Sequence, residues 1–196
     1  MTRALCLAVL LAVFGCARAP APAATPPFVP PDGHWWLNAN AEQRDGFLIG
    51  YAECDALMLG HAAASISAPN LEAAITRYYQ ARPDRKDEPV ITAINALSAA
   101  WKRTGAYHFV HANPSYEYDG ETWREGTDPD RDGMIRGFLA CQEAELGARV
   151  RVPVEVLIQR VSAWYGIDPH DESIASGKTI NDKLGAVILH AEREGP

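Results

Sequence analysis

DGHWWLNANAEQRDGFLIGYAECDALMLG, residues 32–60, returns 87 positions later as DGETWREGTDPDRDGMIRGFLACQEAELG, residues 119–147, without a gap and with ten of the 29 positions identical. The shared skeleton is Asp32, Gly33, Trp36, Arg44, Asp45, Gly46, Gly50, Cys54, Leu59 and Gly60 against Asp119, Gly120, Trp123, Arg131, Asp132, Gly133, Gly137, Cys141, Leu146 and Gly147. A duplication of this kind dictates architecture before anything else in the chain does. Apolar residues at helical spacing (Phe47, Leu48, Tyr51, Leu57, Met58; Met134, Ile135, Phe138, Leu139, Leu146) predict one helix after each Arg-Asp pair. Each helix carries Gly, Gly and Cys four residues apart, on one face. Glycine inside a helix costs about 1 kcal/mol relative to alanine, so two per stripe call for a compensation. Close approach of a second backbone supplies one. If the stripes meet about a pseudo-two-fold axis, Cys54 meets Cys141, and a disulfide is preferred over two buried thiols.

Beyond the strict repeat, the pattern continues more loosely. Pro69-Asn70 opens a second helix through Leu71, Ala74, Ile75 and Tyr78, and Val152-Pro153 opens its counterpart through Val156, Leu157, Val161 and Trp164. Asn70 suits an N-cap and Pro153 a first helical turn. Pro83 and Pro169 break these helices. Third helices follow, from Pro89 through Ile91, Ile94, Leu97 and Trp101, and from Thr179 through Ile180, Leu184, Val187, Ile188 and Ala191. The expected fold class is all-α: two tandem three-helix repeats related by internal duplication and packed as one pseudo-two-fold helical domain. Asp-Gly-x-x-Trp reads as a turn that delivers Trp36 or Trp123 into the core, where each indole N–H needs an acceptor. A surface platform for a ligand is the sharper reading of these tryptophans.

The ends and joints set the domain boundaries. Arg3 and the 11-residue apolar run Ala4 to Phe14 form an export signal, too short to span a bilayer. Val13-Phe14-Gly15-Cys16 resembles a bacterial lipobox, which makes Cys16 the lipidation site; Ala21 to Ala24 offer ordinary cleavage instead. The expected division is a signal peptide over 1–19, a Pro/Ala-rich tether over 20–31, repeat one over 32–104, a linker over 105–118 and repeat two over 119–194. Net charge is −7 with no basic patch, which excludes nucleic acid as a partner class. Membrane contact is expected only through a lipid on Cys16.

Few residues suggest chemistry. Asp128, Asp130, Asp132, Gly133 and Ile135 match positions 1, 3, 5, 6 and 8 of an EF-hand loop, whose alternating oxygens would hold calcium. The match fails at Arg136 and Leu139, and copy one has Ala41, Gln43 and Asp45 at the three acidic positions. The plainer reading is an acidic helix start that favours the N-terminal dipole. His108 and His111 form the one close histidine pair, without a further ligand at zinc spacing. His61 reads as a buried or rim histidine; His34 and His170 fall in turns, and His190 near the end. No nucleophile elbow or phosphate loop is present, and Cys54 and Cys141 lack the setting of a reactive thiolate. No catalytic residue and no cofactor other than calcium is expected. Arg44-Asp45 and Arg131-Asp132 read as capping groups and struts between helices.

The order Gly50-Tyr51-x-x-Cys54, then a second helix ending Arg77-Tyr78-Tyr79 before Pro83, then Ala93, Ala96 and Ala99 on a third helix resembles the small periplasmic immunity proteins that neutralise type VI secreted amidase effectors. The resemblance covers residues 45–101 and, more weakly, 132–191. Those proteins have one copy and cysteines near both ends of the unit; this chain has none near Trp101 or Ala191. The resemblance implies a helical, exported, protein-binding module. The leading expectation is thus a non-enzymatic envelope protein that binds another protein, as an inhibitor or immunity factor. A calcium- or ligand-binding lipoprotein, and a hydrolase with a site between the repeats, are the alternatives.

Overall fold

The computed structural model describes residues 26–59, 68–104, 118–147, 149–167 and 181–194. The signal segment with Cys16, His61, the His108 and His111 pair, Asn113-Pro114, the break at Pro169-His170 and the residues Thr179 and Ile180 lie outside them. Among the described residues the chain is all-helical: α1 (Gly33–Asn38), α2 (Ala41–Leu59), α3 (Ala68–Ala81), α4 (Val90–Thr104), α5 (Gly120–Glu125), α6 (Asp128–Leu146), α7 (Val154–Trp164) and α8 (Leu184–Arg193), with a single 3-10 turn at Pro83–Arg85. Among the described residues, none of these helices is long and apolar enough to cross a membrane.

The Asp-Gly-x-x-Trp elements are short helices rather than turns. Asp32 accepts from the Trp35 amide at 2.8 Å, and Asp119 from the Glu121 amide at 2.9 Å, so each aspartate caps a helix start. Both helices stop where Ala39 and Gly126 go extended. A reciprocal capping box then starts each long helix. Gln43 N–H donates to Asn40 Oδ1 (2.8 Å) while Asn40 N–H donates to Gln43 Oε1 (3.2 Å). Asp130 N–H donates to Thr127 Oγ1 (3.3 Å) while Thr127 N–H donates to Asp130 Oδ2 (2.8 Å). Helix α6 ends on Gly147, whose φ of 61° is left-handed and whose amide returns to the Glu143 carbonyl at 2.9 Å. Three expected starts shift: α3 begins at Ala68, which places Asn70 inside its first turn; Pro153 precedes α7 as its cap residue; α8 begins at Leu184, after the cap residue Lys183.

Helices α2 and α6 run parallel and in register, glycine face to glycine face. A methyl group at Gly46 would overlap the Asp130 carbonyl, and one at Gly50 the Met134 carbonyl. In return, a methyl group at Gly133 would overlap the Gln43 carbonyl, and one at Gly137 the Phe47 carbonyl. The stripe ends in the Cys54–Cys141 disulfide, with a Cα–Cα distance of 6.1 Å. Two apolar cores flank this seam. One gathers Trp36, Phe47, Ile75, Tyr79, Val90 and Ile94; the other gathers Trp123, Phe138, Leu157, Val161, Leu184 and Ile188. Phe28 packs against both, and its amide donates to the Val150 carbonyl at 3.0 Å. Within the expected tether over 20–31, Phe28 is already part of the fold, its partly buried ring packed against both cores.

Polar anchors recur in pairs across the two cores. Trp36 and Trp123 are fully buried, and their indole N–H groups donate to Thr76 Oγ1 and Ser162 Oγ, both at 3.0 Å. Tyr79 and Tyr165 donate to the carbonyls of Glu88 (3.0 Å) and Asp182 (2.8 Å), each two residues before the first residue of α4 or α8. The amides of Val90 and Leu184 donate to the carbonyls of Pro31 (2.8 Å) and Tyr118 (2.9 Å), each just before a capping aspartate. Burial, more than neighbouring charge, pushes both tyrosine hydroxyls up, so each remains a neutral donor. Ser162→Ala should cost about 2 kcal/mol, since it leaves a fully buried indole N–H without its acceptor. Chemical denaturation reads this directly; an unchanged midpoint would mean that the bond contributes nothing net.

Candidate functional site

The repeated charged residues serve the fold. Arg44 Nη1 donates to the Ala39 carbonyl at 3.1 Å, and its Nε pairs with Glu72 at 2.7 Å, which ties α2 to α3. Arg131 donates to the carbonyls of Trp123 (3.0 Å) and Arg124 (3.2 Å) and pairs with Asp128 at 3.2 Å. Each guanidinium thus holds backbone carbonyls at the end of the short helix before it, Arg44 at the cap residue Ala39 and Arg131 in the last turn of α5, where cations are favoured. Capping and strut duties account for both arginines.

Asp128, Asp130 and Asp132, the residues of the calcium-loop expectation, all lie on α6. The helix is continuous from Asp128, so Asp128 and Asp130 lie in its first turn and Asp132 in the next, spiralling around the helix instead of curling inward. Asp128 faces Arg131, Asp130 closes the capping box with Thr127, and Asp132 binds Arg136 Nε at 2.9 Å and accepts from Gln43 Nε2 at 3.3 Å. Among the described residues no three His, Cys, Asp or Glu side chains gather as a metal would require. The capping box was the stronger physical signal: Thr-x-x-Asp starts a helix by itself, whereas the calcium pattern lacked its final bidentate carboxylate.

The seam between α2 and α6 is the one place where the two long helices bring chemistry together. At its N-terminal end, Thr127 Oγ1 donates to Glu42 Oε2 at 2.9 Å. Partial desolvation there, with the charges of Asp130 and Glu72, raises the Asp45 carboxyl above the ordinary range. Past the glycines the disulfide is buried, with Cys54 and Cys141 at 0% and 1% exposure, which leaves no thiolate for attack. At the C-terminal end two large apolar side chains face solvent, Leu57 at 44% and Leu146 at 55%. Neither tryptophan of the repeat forms a surface platform. His34 lies 3.3 Å from Asp87, and His190 lies 3.1 Å from Glu194 with its ring 4.5 Å from that of Trp164; both are surface contacts.

Sequence reasoning missed the polar partners of the cores. Thr76 and Ser162, like Tyr79 and Tyr165, stand 86 positions apart, one fewer than the strict repeat. Allowing a single deletion after Gly60 would have aligned them. It also missed a half-buried pair, Gln142 on α6 and Glu192 on α8, joined at 3.0 Å. Compared with protein-family models, with curated proteins and with solved structures, the chain has no match.

Proposed function

We propose that this is an exported envelope protein that works by binding another protein, as an inhibitor or immunity factor does, and that it catalyses nothing itself. The observation that carries this reading is how the shared residues are used. Asp32, Trp36, Arg44, Cys54 and their counterparts Asp119, Trp123, Arg131 and Cys141 are all taken up in caps, indole bonds and the disulfide. What the duplication has kept is a scaffold, and a rigid scaffold serves recognition. Export is supported by the disulfide, a bond that persists in oxidising compartments, together with the apolar run after Arg3. Lipidation at Cys16 remains part of the proposal.

The architecture belongs to the same reading. We infer an internal duplication of a three-helix unit about a pseudo-two-fold axis along the α2–α6 seam. Supporting it are the reciprocal glycine overlaps, the two capping boxes, and the paired indole, tyrosine and helix-start bonds. Leu57 and Leu146 offer the apolar part of a recognition surface, since exposed leucines at one end of a rigid pair suit a protein partner.

The test is in-cell crosslinking from a photoreactive residue at position 144 or 145, exposed sites beside Leu146, followed by fractionation and mass spectrometry. A single envelope adduct is expected, reduced at least tenfold by Leu57→Asp with Leu146→Asp at unchanged Tm. Cytoplasmic retention of the protein, or no adduct from either position, would overturn the reading. Intact mass of the envelope form, with or without an acyl increment on Cys16, settles the anchor.

A further inference from the structure

Glu192, near the end of α8, faces Gln142, which lies on α6 and is only 7% exposed. The Gln142 amide donates from Nε2 to Glu192 Oε2 at 3.0 Å. The other two oxygens of this pair, Gln142 Oε1 and Glu192 Oε1, are buried and have no hydrogen-bond partner. Two acceptors cannot satisfy each other. Each buried orphan carries the full desolvation penalty of a polar group. One proton changes the arithmetic. A carboxylic acid presents a donor beside an acceptor, and a primary amide presents the complement, so the two close a ring of two hydrogen bonds.

We propose that Gln142 and Glu192 form a proton-operated latch, in which the neutral Glu192 acid donates to Gln142 Oε1 and pins the end of α8 to α6, and the ionised form releases it. Burial raises the Glu192 carboxyl above its ordinary value, against the pull of the Gln142 bond and the Arg193 charge. The other charged groups around the latch come from three helices. Glu143 adjoins Gln142 on α6, and its Oε2 is likewise buried without a partner. Arg160 of α7 spends Nη1 on the Ala191 carbonyl, 2.7 Å away and one residue from Glu192. Arg193 follows on α8. Of these, the Arg193 charge opposes the proton on Glu192.

The direction of the pH dependence follows. The folded protein holds this proton more tightly than the unfolded chain, where a glutamate titrates near 4.5. The latch therefore contributes fully at pH values below that, and its contribution is lost as pH rises through the folded-state value.

Glu192→Gln tests this, because a glutamine reproduces the donor and acceptor pattern of the neutral acid at every pH. The variant should melt about 3 °C above the parent at pH 7.5, with the gap closing by about pH 4. The second measurement is infrared difference spectroscopy between these pH values: the parent should show a protonated-carboxyl stretch that Glu192→Gln lacks. A gap of equal size at both pH values, a variant less stable than the parent throughout, or an infrared band unaffected by the substitution would each overturn the latch.

Discussion

Removing the Cys54–Cys141 bond should lower stability by about 4 kcal/mol, the largest effect expected of any small change in this chain. The bond joins residues 87 apart. Cutting it returns that loop to the unfolded ensemble, and the chain-entropy model assigns a loop of this size a little over 4 kcal/mol. For a domain of this size the Tm should fall by about 10 °C. The double variant Cys54→Ala, Cys141→Ala is the cleaner experiment, since both sulfurs are buried and a reductant must await an opening. The apolar cores on either side of the seam stay intact in that variant, so helical content should survive at low temperature. A midpoint shift below about 1 kcal/mol would show that the α2–α6 contact holds the halves without help.

Gly50→Ala should cost about 3 kcal/mol, although alanine is the better helix former by about 1 kcal/mol. The added methyl group would overlap the Met134 carbonyl, which is backbone in a neighbouring helix and cannot rotate away. The helices must separate or slide, and the disulfide restrains both movements. Gly126→Ala is the matched control. Its methyl group would sit 3.3 Å from the Asp130 side chain and 3.4 Å from the Thr122 carbonyl, so little has to move. That variant should stay within about 0.5 kcal/mol of the parent. Combining Gly50→Ala with Gly137→Ala should cost less than the sum, because the first substitution already opens the seam for the second. Additive losses would show instead that the two glycines act at independent contacts. Urea unfolding of the four proteins distinguishes these cases.

The seam was legible because it depends on local arithmetic. Gly46, Gly50 and Cys54 share a helix face by spacing alone, and the repeat at 133, 137 and 141 named their partners. The buried tryptophans were legible for a similar reason, but their acceptors were not. Thr76 and Ser162 sit on another helix, about 40 residues away, and no local pattern marks them. The short helices α1 and α5 looked like turns because Asp-Gly is a turn signal, yet the same aspartate caps a helix when the following residues can wind. Asp130 illustrates the competing pull. Its carboxylate suits a metal by composition and a capping box by position, and the box prevails because its partner Thr127 is three residues away. Phe28 was hidden by its prolines. Residues that suggest an unpacked tether say nothing of the one ring among them that finds both cores.

The parallel pairing of α2 with α6 also sets an order of events at the ribosome. Helix α2 finishes at Leu59, but the helix that covers its glycine face ends only at Leu146. At about 10 residues per second, roughly nine seconds of synthesis separate the two. Through that interval the first half carries a bare glycine face and a solitary Cys54, and nothing local can cover either. Its pairing is a non-local step with a long loop to close, of the kind that slows folding. A nascent chain stalled between residues 60 and 128 would present that face to any neighbour, including the same half of another copy.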